Sequence, residues 1–133
     1  MSPVQAAFVQ AMAKESQSAA VAAAAVAVWQ DVSGVLSPII GNSGFAALLK
    51  RSGYLAISAC PGLATATDQT QSAAQFSALH DLLTQLSSDD AARVNGALLQ
   101  TFQNVLDTLI GVPLTARLLQ PIWDIHFVQD TTS

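Results

Sequence analysis

The apolar residues of this chain recur at helical spacing, and no segment alternates apolar and polar residues over the length of a strand. From Phe76 to Leu86 the apolar side chains step by three or four positions. Residues three or four apart share one face of a helix, whereas a half-buried strand alternates at every second residue. The pattern predicts an all-α fold, a single helical bundle of about five helices over residues 1–133, with a frayed tail at 128–133.

Turn and breaker residues set the expected helix boundaries. A first helix is expected from Pro3 to about Leu36, with a break or kink near 14–18, and Pro38 is the first boundary signal. Residues 63–72 are rich in Thr and Ala and read as a loop. Further helices, the last of them bent by Pro121, are expected over about 44–59, 72–86, 88–110 and 113–127.

Two stretches of the chain resemble each other at an offset of seventy residues. Val35-Leu36-Ser37-Pro38-Ile39-Ile40-Gly41 aligns with Val105-Leu106-Asp107-Thr108-Leu109-Ile110-Gly111. Each stretch ends a long helix at an Ile-Gly corner, where glycine suits a left-handed helix end, and a shorter helix follows. Two interpretations stay open: a duplicated hairpin with a cleft between its copies, or the chance recurrence of helix–glycine–helix corners in a helical bundle.

Composition argues against several classes of function. Charged residues make up 11% of the chain, against about 25% in an ordinary soluble domain, and the net charge is −4. Nucleic-acid binders and polybasic membrane binders need an excess of Lys and Arg, so we expect neither a nucleic acid nor a membrane as partner. The single cysteine excludes an internal disulfide and disfavours a thiolate metal site. We expect no metal and no cofactor.

The apolar, Ala-rich first helix predicts packing and not membrane insertion. Its most apolar stretch, residues 19–29, is shorter than the roughly twenty residues that a membrane span needs. A signal peptide needs a basic start and a small-residue cleavage site, whereas Lys14 is followed at once by Glu15. We therefore expect a cytoplasmic protein. We also expect residues 19–36 to pack against a helix of a signalling partner or of a second copy of the chain.

Two motifs carry a resemblance to a known group of domains. Residues 29–51 read W-x6-L-x-P-I-I-G-x-x-G-F-x-A-L-x-x-R, and residues 101–119 read T-F-x-x-V-L-x-x-L-I-G-x-x-L-T-x-R-L-L. Together they resemble small, poorly characterised bacterial helical domains associated with response regulators, histidine kinases and cyclases. The resemblance implies a regulatory or interaction module with no specific catalysis. The chain departs from that pattern at Asn42, where an acidic residue is expected, and at Gly62-Leu63, where an aromatic pair is expected.

Arg51 and Arg117 are the strongest candidates for a binding site in a chain with five basic residues. Each follows an Ile-Gly corner on a short, otherwise apolar helix, and Lys50 adds a second cation beside Arg51. One interpretation is an anion or carboxylate clamp formed by both arginines. The other is structural, and pairs each arginine with free helix-end carbonyls or with a nearby carboxylate such as Asp107 or Asp31.

Structural roles are favoured for most of the remaining candidates. His80 lies beside an apolar stripe, and the basic residue that a phosphotransfer histidine needs is absent. His80 and His126 could meet at a metal, but two distant histidines are weak evidence for one. Cys60 stands at a helix end where the dipole disfavours a thiolate. Trp29 and Trp123 could line a pocket or anchor an interface, or they could pack in the core. We favour core packing for at least one of them.

The sequence predicts a protein without catalytic activity, because no constellation of acid, base and nucleophile is visible. We expect a regulatory or protein-interaction module of bacterial signal transduction, which binds a kinase, a response regulator, a cyclase or a second copy of itself. The alternative is a small-ligand sensor with an apolar cavity between the two hairpins and Arg51 or Arg117 at its mouth. A surfactant-like coat protein fits less well, because the Ala-heavy first helix lacks a strong amphipathic stripe.

Overall fold

A computed structural model describes residues 3–13, 17–58, 60, 62–63 and 76–126 of the chain. This part of the chain contains five helices of eight residues or more: α1 (Pro3–Ala11), α2 (Ser18–Leu55), α3 (Ser77–Thr84), α4 (Ser88–Ile110) and α5 (Val112–His126). The predicted all-α fold of about five helices is confirmed. The expected helical residues 72–75 and 127, most of the expected loop 63–72 and the expected tail lie outside the described residues.

Helix α2 is interrupted at Gly41, which divides it into α2N (residues 18–40) and α2C (residues 42–55). The predicted boundary at Pro38 is wrong, because the helix continues through Pro38 and breaks only at Gly41. A proline inside a helix removes one bond to the carbonyl four residues earlier. Here that carbonyl belongs to Gly34, and both residues are exposed, so water can bind the carbonyl instead.

The corner at Gly111, between α4 and α5, repeats the backbone geometry of the corner at Gly41. Gly41 has φ 82° and ψ 161°, and Gly111 has φ 92° and ψ 150°. The expected positive φ is present at both corners. The expected left-handed helical conformation is wrong in ψ, which is extended, because each corner leads directly into a second helix. This backbone region is essentially restricted to glycine.

The two halves of the structure repeat each other at the same offset of seventy residues. α2 begins at Ser18 and α4 begins at Ser88, and the two corners follow at equal distances. Ten of the thirteen buried residues of α2 have a buried counterpart seventy positions later. This agreement favours the duplicated hairpin over chance recurrence. The ten pairs are Val21/Ala91, Ala22/Ala92, Ala25/Asn95, Val28/Leu98, Trp29/Leu99, Val32/Phe102, Leu36/Leu106, Phe45/Thr115, Leu49/Leu119 and Ser52/Ile122.

The two halves are interlocked. Helix α1 packs on α4, and α3 packs on α2. On α2C, Phe45 contacts Phe102 of α4 with ring centroids 5.6 Å apart, while α5 reaches α2N through His126 and Asp31. Each half thus places its shorter helices against the long helix of the other half. Such reciprocal contacts are those of a two-fold symmetric dimer, here formed within one chain.

The centre of the core lies between α2N and α4. The fully buried indole of Trp29 donates from Nε1 to Oδ1 of Asn95 at 2.8 Å, and its ring meets Phe102 edge to face at 5.2 Å. Residues 19–36, expected to mediate self-association, turn their large apolar side chains into this core. They leave outward small or polar residues such as Ala23 and Gln30, which offer little apolar area to a second copy.

The packing of α2 accounts for part of its apolar character, because 39% of its apolar eighteen-residue window is buried. Within the described residues, α2 is long and apolar enough to cross a membrane, with a mean hydropathy of 1.6 over an eighteen-residue window. A core helix meets the same criteria, and the buried face of α2 packs against α3 and α4.

Candidate functional site

A groove of about 520 Å³ lies between α2C and α4, and therefore between the two halves of the chain. On each wall the lining positions recur every three or four residues, so each wall is one helix face about two turns long. The walls differ in polarity, because the α4 side alternates amide and hydroxyl groups with apolar ones. The lining residues are Leu48, Arg51, Leu55, Thr101, Asn104, Val105, Thr108 and Leu109.

Arg51 stands in this groove with an unengaged guanidinium. It is exposed, and it has no hydrogen bond or ion pair within the described residues. The structural interpretation of the arginines, which pairs them with Asp31 or Asp107, therefore gains no support. Asp31 is used elsewhere, because its Oδ2 lies 2.6 Å from Nε2 of His126. Arg117 is likewise exposed and unpaired among the residues that the structure describes.

The other polar groups of the groove are two hydroxyls and one amide, each of which already makes a hydrogen bond. The hydroxyls of Thr101 and Thr108 each donate to the carbonyl four residues earlier, at 2.8 and 3.1 Å. Oδ1 of Asn104 accepts a hydrogen bond from Nε2 of Gln100 at 2.9 Å. The protons that remain are those on Nδ2 of Asn104 and on the Arg51 guanidinium, and no carboxylate lines the groove. The two hydroxyl oxygens can still accept hydrogen bonds, but Arg51 carries the formal charge among the lining residues, so the site complements an anion.

Two exposed leucines form the apolar rim of the groove. Leu55 on α2C is 53% exposed, and Leu109 on α4 is 63% exposed. Because they stand on the two facing walls of one groove, they form part of a single apolar surface with Leu48 and Val105. Tyr54, next to Leu55, is exposed as well. A partner that covers this rim would remove apolar area from water.

The counterpart of the groove, seventy residues away on α2N and α5, carries different polar residues, with Asp31 in place of Thr101. Arg51 corresponds to Pro121, and Asn104 corresponds to Gly34, so the counterpart face has neither the cation nor the amide. The apolar rim is repeated, because Leu55 and Leu109 correspond to Ile125 and Ile39, which are 72% and 56% exposed. The repeat thus provides two faces that both expose large apolar residues and that differ in charge.

The structure separates the two candidate arginines. Arg117 does not line the groove, and its counterpart in the first half is Ala47, so a clamp of both arginines is not assembled there. Lys50 is exposed beside Arg51 but does not line the groove either. Trp29 is in the core, and Trp123 is half-buried, with Nε1 donating to Oε1 of Gln103 at 3.3 Å. Of the predicted binding residues, the groove contains Arg51.

The histidines and the cysteine lie apart from this groove. Nδ1 of His80 is 3.9 Å from Oδ1 of its neighbour Asp81, whereas His126 pairs with Asp31. The described residues contain no group of three or more His, Cys, Asp or Glu that could hold a metal ion. Cys60 is half-buried against the core.

Sequence reasoning does not find Asn104, Leu55 or Leu109. Helical spacing does not single out Leu109, because it follows the buried Leu106 by three positions and so continues the apolar stripe, yet it is 63% exposed. Asn104 carries no signal either, because an asparagine on the outer side of a helix is ordinary.

A second cavity of about 320 Å³ lies between α1 and the start of α4. Its guanidinium belongs to Arg93, which is already paired with Asp90 at 3.0 Å between Nη2 and Oδ1. The charge of Arg93 is therefore already balanced by Asp90, whereas Arg51 has no such partner within the described residues.

Comparisons of the chain with protein-family models, with curated proteins and with solved structures give no match. The resemblance to domains of signal-transduction proteins stays a prediction, and the function is argued from the groove.

Proposed function

We propose that this chain is a non-catalytic binding module whose site is the groove between α2C and α4, and that its partner is a segment of a signalling protein. The observation that carries the proposal is Arg51, which has no partner within the described residues and lines a groove with exposed leucines between the two halves. No His, Cys, Asp or Glu is among the lining residues, so the groove offers no conventional acid–base pair. The sequence resemblance supports a kinase, a response regulator or a cyclase as the partner.

The shape of the groove favours a helical segment as its occupant. Its walls are two opposing rows of side chains on facing helices. An amphipathic helix binds such a groove through residues at i, i+3 or i+4, and i+7. Sites for small molecules bury most of the ligand surface, about 70–90%. The half-exposed Leu55 and Leu109 would leave a small molecule partly in water, whereas a helix can cover both.

A small-ligand sensor is the second candidate, and the volume of the groove favours it. About 520 Å³ lies within the range of roughly 300–1,000 Å³ that is typical of ligand pockets. The position of the groove between the two hairpins, with Arg51 beside it, also agrees with the expectation for such a sensor. A small carboxylate would use the same donors as an acidic side chain.

The experiment uses the repeated rim as a matched control. The chain serves as bait in lysate of its native cells, in parallel with a Leu55→Ser/Leu109→Ser variant and an Ile39→Ser/Ile125→Ser variant. We expect mass spectrometry to identify a signalling protein that the wild type and the second variant retain and the first variant loses. Equal retention by both variants would place the binding surface elsewhere.

The same variants distinguish the two candidate functions. If no protein depends on Leu55 and Leu109, a thermal-shift screen of small carboxylic acids comes next. Stabilisation of the wild type that disappears in the Leu55→Ser/Leu109→Ser variant would favour the small-ligand sensor over the protein-binding module.

A further inference from the structure

Resting on the proposed function, we infer that the partner segment is an amphipathic helix that presents an Asp or Glu side chain to Arg51 and Asn104, with apolar side chains on either side. The inference goes beyond the existence of a binding groove, because it names the chemistry that the partner must carry. It depends on three features of the groove, which are its unsatisfied donors, its length and its difference from the counterpart face.

The unsatisfied donors determine the charge of the partner. With the threonine hydroxyl protons engaged, the donors of the groove are the Arg51 guanidinium and the Asn104 amide N–H₂ group, and Arg51 carries the formal charge among the lining residues. A guanidinium binds a carboxylate through two parallel hydrogen bonds, and the amide of Asn104 can add a third donor. A lysine or arginine at this place in the partner would meet like charge, and an aliphatic residue would leave the donors without an acceptor.

The length of the groove determines the spacing. From Leu48 to Leu55 the α2C wall spans seven helical steps, about 10 Å at the helical rise of 1.5 Å per residue. A partner helix in contact with this wall places apolar residues at i and i+7. Arg51 lies between the two leucines, so the acidic residue falls at i+3 or i+4 of the partner.

Comparison with the counterpart face shows which features of the groove come from the repeat and which would select the partner. It repeats the exposed apolar rim through Ile39 and Ile125 but has Pro121 in place of Arg51. An acidic amphipathic helix is therefore expected to bind the groove between α2C and α4, which carries Arg51, and not the counterpart face.

The test is a selection on the folded, full-length chain. A phage-displayed library of 16-residue helices carries Leu at i and i+7 and random residues between them. We expect the wild type to enrich Asp or Glu at i+3 or i+4, and the Arg51→Glu variant to enrich Lys or Arg there. A synthetic winner is expected to bind about fivefold more tightly than its Glu→Gln analogue, the upper range for an exposed ion pair. That preference is expected to disappear in Arg51→Gln.

Arg117→Glu supplies the matched control, because Arg117 is also exposed and unpaired within the described residues but lies outside the groove. We expect this variant to enrich acidic residues as the wild type does. Binders that need Leu55 and Leu109 but show no preference for acidic residues would overturn the inference and leave the binding module standing. Failure to select any binder that needs the two leucines would overturn both. Circular dichroism confirms that each variant is folded.

Discussion

At the scale of single residues, one buried polar pair distinguishes the two halves of the chain. The indole of Trp29 and the amide of Asn95 are fully buried and joined by a 2.8 Å hydrogen bond, whereas their counterparts are Leu99 and Ala25. A buried N–H group without an acceptor costs free energy, so Asn95 allows a tryptophan to fill the centre of the core. Trp29 therefore serves the core and not a binding site.

Replacement of Asn95 tests this pair. Asn95→Ala is expected to lower the free energy of unfolding by about 1–3 kcal/mol, because the indole N–H loses its acceptor. Asn104→Ala, on the exposed side of the same helix, is expected to change it by less than about 0.5 kcal/mol. Urea denaturation followed by tryptophan fluorescence measures both. Equal effects of the two substitutions would show that the buried bond contributes nothing to stability.

The residue scale is also where sequence reasoning reaches least far. Helical periodicity identifies the buried stripe, including Leu79 and Leu83 on α3, because it depends on neighbours three or four positions away. It does not say which helices meet. The contact of Trp29 with Asn95 spans sixty-six positions, and the difference between Arg51 and Arg117 depends on which helix faces each of them.

At the scale of elements, the two glycine corners end the long helices. The sequence predicts a cap at Ser88 and an end at Gly111 for α4; the end is observed, but the cap is Ser87, whose hydroxyl accepts from the N–H of Asp90. The end of α2N is predicted less well, since Pro38 interrupts one hydrogen bond while Gly41 changes the backbone direction. A proline on a solvent-facing side of a helix is thus a weaker boundary signal than a glycine with positive φ.

Two glycine substitutions are expected to have opposite effects on stability. Gly111→Ala puts a side chain into a backbone region that disfavours it, and is expected to lower the free energy of unfolding by about 1–3 kcal/mol. Gly34→Ala is expected to raise it by about 0.4–1 kcal/mol, because Gly34 is helical and a Cβ there meets nothing within 4 Å. Thermal melts followed by circular dichroism measure both. A Gly111→Ala variant as stable as the wild type would contradict the strained corner.

At the scale of the whole molecule, the interlocked halves share one core. The short helices of each half cover the long helix of the other, so neither half holds a complete core of its own. The sequence repeat at seventy residues indicates the duplication, but crossed packing and side-by-side packing would leave the same repeat in the sequence. Only the contacts between α1 and α4 and between α3 and α2 distinguish the two arrangements.

This arrangement predicts that damage to one half spreads to the other. Leu98→Ala, in α4, is expected to cost about 2–5 kcal/mol, as truncation of a fully buried leucine does. Because unfolding involves both halves, hydrogen exchange is expected to accelerate in α2 as much as in α4. Mass spectrometry of peptides from the two helices measures this. Faster exchange confined to the second half would show that the halves unfold separately.

The crossed packing also leaves the first half of the chain uncovered while the second half is being synthesised. The first half of the chain is complete well before the helices that cover it, and seventy residues take about 4–14 s at a synthesis rate of 5–20 residues per second. During that interval the long apolar helix α2 has no α3, α4 or α5 to pack on. Two nascent chains on one messenger RNA then present each other with similar surfaces. The repeat by which each half covers the other in the finished chain is therefore expected to let two growing chains cover each other instead.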